Sequence, residues 1–585
     1  MGSPLKTRQS YENDTLCPLP PSGITDFEEF RKKGFVYVDK TRFIEKMERL
    51  SLYFPFIIRP RRFGKTLFTK VLEAYYDKAE HGSFERNFKG TYIYDHLTGT
   101  QGSYCVLHFD FSGLGINALE RAFNQELRRS FSHFFSRYPL PGCEKLVACT
   151  PDISPAEYLN DFLMVAGQDP RLNLFVIIDE YDQFANELLS TDPEKFKKIT
   201  DNGGFLKDFY IQLKKATSGG SIKRIFVTGV TIISLDSMSS GFSIGQDISV
   251  EPEFADLFGF TEPELRMLIT AAIDLKKCGK TVEQVVSRMH GLYNGYRFSP
   301  KSTTSVFNAA LSVYYLDSLQ RTGTEPIKLL DRNVINYTKI KNLLSLGDRS
   351  YVKEVVETIL NGEKLKFGGF GDGLNLNKKN RLKPDDILAV LYYMGFLTFA
   401  PETSRYMVCP NRCILEQFFR YFMEEIEGRH FTFNDEEVLE AATALQKGDI
   451  APLLTIVSEG LSSDTGEHVY SHFNESNIRT AVKVLARYGA GYRALEEPDL
   501  AGSGYADLLL VSPVRSAVSY LLELKYLKKS IPQNKITTAI EAATKEASEQ
   551  LKRYSESSLT QEVQNLKKVS TVFHGTKLVA VSFEH

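Results

Sequence analysis

Two groups of residues in this 585-residue chain have types and spacings suited to phosphate chemistry. The first is Arg59-Pro60-Arg61-Arg62-Phe63-Gly64-Lys65-Thr66, which follows an apolar run and opens a helical pattern. Its last three residues form the end of a P-loop. Glycine lets the backbone approach phosphate, lysine meets the β- and γ-phosphates, and the threonine hydroxyl ligates Mg²⁺. Arg62, Phe63, Gly64, Lys65 and Thr66 are therefore the expected nucleotide-binding residues. The loop departs from the usual pattern at Arg59, where the first glycine would stand. Downstream, the apolar run Leu174–Ile178 ends in Asp179 and Glu180. At the carboxyl end of a buried strand, the first acid can hold Mg²⁺ and the second can polarise water. Asp179 is the expected partner of Thr66 in metal binding, and Glu180 the expected hydrolytic base. Thr228 ends the next apolar strand, a position from which a hydroxyl can sense the γ-phosphate. Asp110, which ends the strand between the two motifs, reads as an ordinary strand-end acid.

The second group lies near the C-terminus: Gly504-Tyr505-Ala506-Asp507 on one strand pattern and Glu523-Leu524-Lys525 on the next. Residues two apart in a strand share a face, so Glu523 and Lys525 point the same way and Asp507 can join them. Asp507 and Glu523 are the expected ligands of a hard cation, Mg²⁺ or Mn²⁺. A cation there makes water nucleophilic toward a phosphodiester, and Lys525 positions it or stabilises developing charge. Glu523 and Lys525 stand inside the apolar run Tyr520–Lys525, where buried charge is costly unless paired or metal-bound. Tyr526, Lys528, Lys529 and Lys535 follow directly. They suit a nucleic-acid backbone, and equally a solvated loop.

Together these motifs resemble bacterial AAA-ATPase-like (STAND-type P-loop NTPase) proteins that carry a C-terminal PD-(D/E)XK nuclease domain. Gly291-Leu292-Tyr293-Asn294-Gly295-Tyr296-Arg297-Phe298 resembles that family's Tyr-Asp-Gly-Tyr-Arg-Phe segment, with a charge lost at Asn294. Thr228-Gly229-Val230 and Ser240-Gly241-Phe242 match as well, as does Ile178-Asp179-Glu180-Tyr181-Asp182. Glu475 resembles the upstream acid of many nuclease members, and Gln550 with Tyr554 resembles the Gln-x-x-x-Tyr element of RecB-like nucleases. Tyr505 stands where relatives often carry Arg, and Ala506 replaces the Pro of the motif name. The resemblance implies an ATP- and Mg²⁺-using ATPase core whose nucleotide state licenses cleavage of nucleic acid, DNA favoured over RNA, in defence or mobile-element biology. The runner-up reading is a STAND-like signalling switch whose nuclease-like domain only binds partners or DNA; the presence of all the nuclease residues argues against it.

Those side chains need an α/β scaffold to position them. Residues 20–255 alternate apolar runs (52–59, 104–111, 174–179, 224–230) with helical patterns at 66–78 and 119–138. This texture predicts a P-loop NTPase domain built on a parallel sheet. Residues 256–330 read as a helical lid region, started by Thr261-Glu262-Pro263-Glu264. Residues 331–458 are helix-rich. Helix 384–395, strands 396–400 and 406–409 and a helix from Asn411 suit a winged-helix unit and, as well, a helix with an arbitrary hairpin. Residues 466–585 read as an α/β restriction-endonuclease-like domain: helix 476–488, strands 506–512 and 519–525, helix 537–555 and strand 577–583. The segment 458–466 is the expected linker.

Composition bounds the rest. With 42% hydrophobic and 25% charged residues, wholesale disorder and fibrous repeats are excluded. Lys+Arg 71 against Asp+Glu 73 argues against a globally basic coat protein and leaves room for a local basic groove. Seven cysteines without zinc-finger spacing indicate a reduced, cytoplasmic protein. No apolar run approaches the roughly 20 residues of a membrane span, and the polar N-terminus lacks a secretory core. No membrane partner is expected; a homo-oligomer is compatible with the pattern.

Overall fold

The computed structural model describes residues 16–21, 24–200, 204–231, 244–326, 328–329, 337–370, 382–401, 403–426, 431–462, 475–498, 505–554 and 561–584. The chain divides into two compact units. One holds the residues up to Asp348 together with Lys366–Cys413; the other holds Arg349–Leu365 and the residues from Ile414. Residues 331–458, read from sequence as a single region, thus contribute to both.

In the first unit, the apolar runs become five parallel strands: β1 (Pro55–Ile58), β2 (Cys105–Asp110), β3 (Leu174–Asp179), β4 (Ile222–Gly229) and β5 (Gln246–Asp247). Their order is β2-β3-β4-β1-β5. One strand therefore separates the end of β1, which feeds the P-loop, from the acidic end of β3. Every residue of β3 is buried, as a strand covered on both faces requires. Alternation along the strands turns Phe175 toward Tyr76 of the Lys65–Tyr76 helix and Phe109 toward Phe209 of the Phe205–Ser218 helix, so both faces are covered. The register sets Asp110 beside Asp179 and Ile57 beside Thr228, which gathers the polar strand ends at one edge. Open parallel sheets bind ligands outside those carboxyl ends.

Helices Glu262–Ala272, Val282–Tyr293 and Ala309–Thr322 share one core through Leu265, Leu268, Met289, Leu292, Leu311 and Tyr315. The first begins as its sequence predicts, with the Glu264 carboxylate accepting the Thr261 N–H at 2.8 Å. Helix Pro384–Tyr393, an antiparallel hairpin of Thr398–Phe399 and Tyr406–Val408, and helix Arg412–Tyr421 follow in the expected order.

The second unit carries a mixed sheet of β6 (Arg493–Glu496), β7 (Leu508–Val511), β8 (Ser519–Leu527), β9 (Leu566–His574) and β10 (Lys577–Glu584), neighbours in chain order. Only β8 and β9 pair in parallel; the rest are antiparallel. Strands β6 and β9 are absent from the sequence expectation. Arg493-Ala494-Leu495-Glu496 is too short to show a period, and β9 mixes Lys567, Lys568, Ser570 and Thr571 with its apolar residues. Pairing with β8 along all nine residues makes β9 a strand regardless, with Ser570 and Thr571 buried. Helices Glu475–Ala490 and Ile536–Tyr554 flank the sheet. Residues 458–462 of the expected linker are instead the end of helix Ala451–Ser462, with Gly460 against the Phe431 ring; residues 463–466 lie outside the described residues. Among the described residues, no helix is long and apolar enough to cross a membrane.

Candidate active sites

The P-loop wraps from the end of β1 into the Lys65–Tyr76 helix, with Gly64 at the helix start in the left-handed region (φ 100°). A side chain there would be strained, which is the reason for glycine. Lys65 is 4% exposed, and its Nζ lies 3.2 Å from the Arg59 and Pro60 carbonyl oxygens and 3.3 Å from Glu180 Oε1. Thr66 hydrogen-bonds Asp179, whose pKa is pushed up to about 6 by burial and then by the neighbouring Glu180 carboxylate. Glu180 holds a positive φ of 51°, and its buried Oε2 lacks a hydrogen-bond partner. Lys65, Thr66, Asp179 and Glu180 are thus brought together. Beside them opens a cavity of about 720 Å³, a size usual for small-ligand sites, lined by Arg61, Arg62, Gly64, Lys65, Thr66 and Glu180 among others. Phe63 also lines this cavity, and its ring packs edge-on against Tyr296 and Phe298. Thr228 is buried and donates its hydroxyl to the Ile57 carbonyl at 3.0 Å across the sheet. Arg59, at the missing-glycine position, is also buried and donates to the carbonyls of Ile58, Ser249 and Phe254.

In the second unit, Asp507 and Glu523 lie one step beyond the paired Leu508 and Leu522. Asp507 Oδ2 accepts the Leu524 N–H at 2.7 Å, which pins it across the two strands. Glu523 is 3% exposed; its Oε1 lies 3.3 Å from Lys525 Nζ, and its buried Oε2 has no partner. Burial, followed by the Asp507 charge, raises Glu523 to about 7. Glu475 hydrogen-bonds Asp507 and is raised to about 7 for the same two reasons. Burial works against the charge on Lys525, yet the carboxylates of Glu523 and Glu546 outweigh it and raise its pKa. Among the described residues, no three His, Cys, Asp or Glu side chains already converge as a metal-ligand set. The donor chemistry nevertheless suits a hard cation. Mg²⁺ is usually bound through one or two carboxylates, and the orphaned Glu523 Oε2 is an oxygen that a cation would satisfy.

Residues 21–239 match the AAA-ATPase-like family, described as a predicted AAA-ATPase. Residues 473–583 match the PD-(D/E)XK nuclease superfamily. The chain joins an AAA-ATPase-like domain to a PD-(D/E)XK nuclease-superfamily domain. An uncharacterized protein in the vnfD 5′ region of Azotobacter chroococcum is 26% identical over 293 residues, 50% of this chain and 51% of that one. The chain therefore spans about half the length of the curated relative it matches. Among solved structures, a Walker-type ATPase of Pyrococcus abyssi aligns with a TM-score of 0.34 and 12% identity, covering 69% of this chain and 99% of that one.

Several residues of these two domains were not assigned roles from sequence. In the ATPase-like domain, Asp182 is fully buried and accepts the N–H groups of Val230 (3.0 Å) and Thr231 (2.6 Å). It ties the segment after β3 to the end of β4. Gly229 leaves room for it, since a Cβ there would come within 2.3 Å of Asp182 Oδ1. In the nuclease domain, Arg479 lies 3.8 Å from Asp507 and 2.8 Å from Glu497, and Glu546 lies 3.2 Å from Lys525. The available signal was helical spacing: Arg479 follows Glu475 by four, and Glu546 precedes Gln550 by four. The Gln550 Oε1 atom is buried without a partner, and the Tyr554 hydroxyl donates to the Tyr505 carbonyl at 2.8 Å. Asn294 is buried as well, so an aspartate would place a charge in the interior there. Residues 240–242 and Gly504 lie outside the described residues.

Proposed function

We propose that the chain binds and hydrolyses ATP with Mg²⁺ in its ATPase-like domain, and that nucleotide state licenses metal-dependent phosphodiester cleavage of nucleic acid, DNA in preference to RNA, in its nuclease domain. The observation that carries this reading is the buried, unpartnered carboxylate oxygen present at each site, on Glu180 and on Glu523. A buried acceptor without a partner is costly, and functional centres are where such atoms persist.

In the ATPase-like domain, Lys65 meets the β- and γ-phosphates, Thr66 and Asp179 are the metal-holding pair, and Glu180 Oε2 orients and deprotonates the attacking water. Arg62, Phe63 and Gly64 present the loop backbone, and Thr228 steadies the end of β4 from which the γ-phosphate is read. In the nuclease domain, Asp507 and Glu523 are the metal-holding pair, with Glu475 beside them. Lys525 lies between Glu523 and Glu546, positioned to orient water and to meet negative charge developing on the phosphate. A divalent cation bound by these carboxylates would lower the pKa of water and neutralise the phosphodiester.

The test is cleavage of plasmid, linear, single-stranded and branched DNA and of RNA, with Mg²⁺ or Mn²⁺ and with or without ATP. Lys525→Ala is expected to abolish cleavage with ATP binding intact, and Lys65→Ala to abolish ATP binding and the ATP dependence of cleavage. Cleavage at the wild-type rate in Lys525→Ala would place the chemistry elsewhere. ATP binding without cleavage of any substrate would favour the signalling switch.

A further inference from the structure

Segment Gly291–Phe298 has no part in the chemistry just proposed, yet it packs directly against the P-loop. Tyr296 and Phe298 meet Phe63 edge-on, with ring centroids 4.9 and 5.3 Å away. Phe298 also lies under the Arg59 guanidinium, 4.4 Å from ring centre to cation. All four residues are at most 3% exposed. The loop is fastened from the same helical region, because Gly259 N–H donates to the Phe63 carbonyl at 2.9 Å and Ala310 N–H to the Arg62 carbonyl at 3.1 Å.

The clamp is itself braced from behind. Tyr392 donates its hydroxyl to the Phe298 carbonyl at 3.2 Å, and Thr398 Oγ1 bonds both the N–H and the carbonyl of Arg297. Asn411 donates to the Asn294 carbonyl at 2.9 Å. Gly295, at φ 95°, allows this approach, since a Cβ would stand 2.0 Å from the Pro410 carbonyl oxygen. The segment is thus rigidly placed before it touches the loop.

A P-loop ordinarily relies on its first glycine to turn tightly around phosphate. Here Arg59 occupies that position, and Arg62 holds a left-handed φ of 70°, a conformation that a non-glycine residue keeps only where its surroundings impose it. Two aromatic rings and two backbone donors supply those surroundings. The geometry points to Tyr296 and Phe298 as positioning residues of the nucleotide site, holding Arg59 and Phe63 so that Gly64, Lys65 and Thr66 face the phosphates. This rests on the reading of the P-loop as a nucleotide site.

The test is equilibrium titration of the full chain with a fluorescent N-methylanthraniloyl-ATP and Mg²⁺, using wild type, Lys65→Ala, Tyr296→Leu, Tyr296→Phe and Phe298→Leu, with near-UV circular dichroism to show that each is folded. Misplacing binding groups by a fraction of an ångström is strongly felt, so each leucine variant is expected to weaken binding by about tenfold or more. Tyr296→Phe, which keeps the ring, is expected to stay within about twofold of wild type. If Phe298→Leu does not fold, Tyr296→Leu set against Tyr296→Phe carries the same comparison. Leucine variants binding at wild-type affinity, or Tyr296→Phe losing as much as Tyr296→Leu, would overturn the proposal while leaving the nucleotide site in place. A wild-type chain that binds no nucleotide, or Lys65→Ala binding as wild type does, would remove the nucleotide reading itself, and the clamp's role with it.

Discussion

Asp179, Glu475 and Glu523 share one electrostatic condition: each is desolvated and faces a second carboxylate. Each is therefore raised, and each becomes easier to ionise when a cation arrives. The consequence for the nuclease domain follows from the direction of the shifts. Glu475 and Glu523 rise from 4.5 to about 7, so the stability they contribute is fully present below pH 4.5 and is lost as pH rises through 7. Mg²⁺ should offset that loss, giving a larger rise in melting temperature at pH 8 than at pH 6. Because binding displaces protons, apparent Mg²⁺ affinity measured calorimetrically is expected to fall by about tenfold or more from pH 8 to pH 6. Glu523→Gln should flatten this dependence. An affinity independent of pH in the wild type would mean that these carboxylates are not the ligands.

At the scale of elements, the carboxylate–lysine cluster of the second unit depends on strands being held in one register. Asp507 reaches the Leu524 N–H only because β7 and β8 pair at Leu508–Leu522, and β8 is braced on its other edge by β9. Val569, opposite Leu522, and Val572, opposite Lys525, are both fully buried. Val569→Ala removes two methyl groups from that interior and is expected to destabilise the domain by about 2 kcal/mol in urea unfolding. An effect below about 0.5 kcal/mol, the usual range of surface substitutions, would show that β9 is not packed as described. In the ATPase-like domain, the same dependence on register sets Asp110, Asp179 and Thr228 at one sheet edge.

At the scale of the whole molecule, two compact units with separate cores imply two unfolding transitions. A ligand that binds only the folded form stabilises its own unit, by about 2.7 kcal/mol at a hundred times its dissociation constant. Mg-ATP is therefore expected to raise one calorimetric transition, and Mg²⁺ alone the other. Lys65→Ala should abolish the first shift and Asp507→Ala the second. A single transition that responds to both ligands in both variants would contradict the assignment of one site to each unit.

Much of this was legible in sequence because it rests on local chemistry. Gly64, Lys65 and Thr66 announce a phosphate loop by residue type, and unbroken apolar runs such as Leu174–Ile178 announce strands covered on both faces. The matches over residues 21–239 and 473–583 and the two sheets agree with that α/β reading. What sequence left open depends on contacts between residues far apart in the chain. Strand β9 has a weak pattern of its own and exists because β8 offers a full ladder. Arg59 looks like a flaw in a P-loop until Ser249, Phe254 and Phe298 surround it. Asp182 is one acid among several until Val230 and Thr231 turn their N–H groups toward it. Residue type and short-range period marked the candidate chemistry and most of the elements that carry it. Only burial and long-range pairing decided which charges are satisfied, which are left poised, and what holds the P-loop in shape.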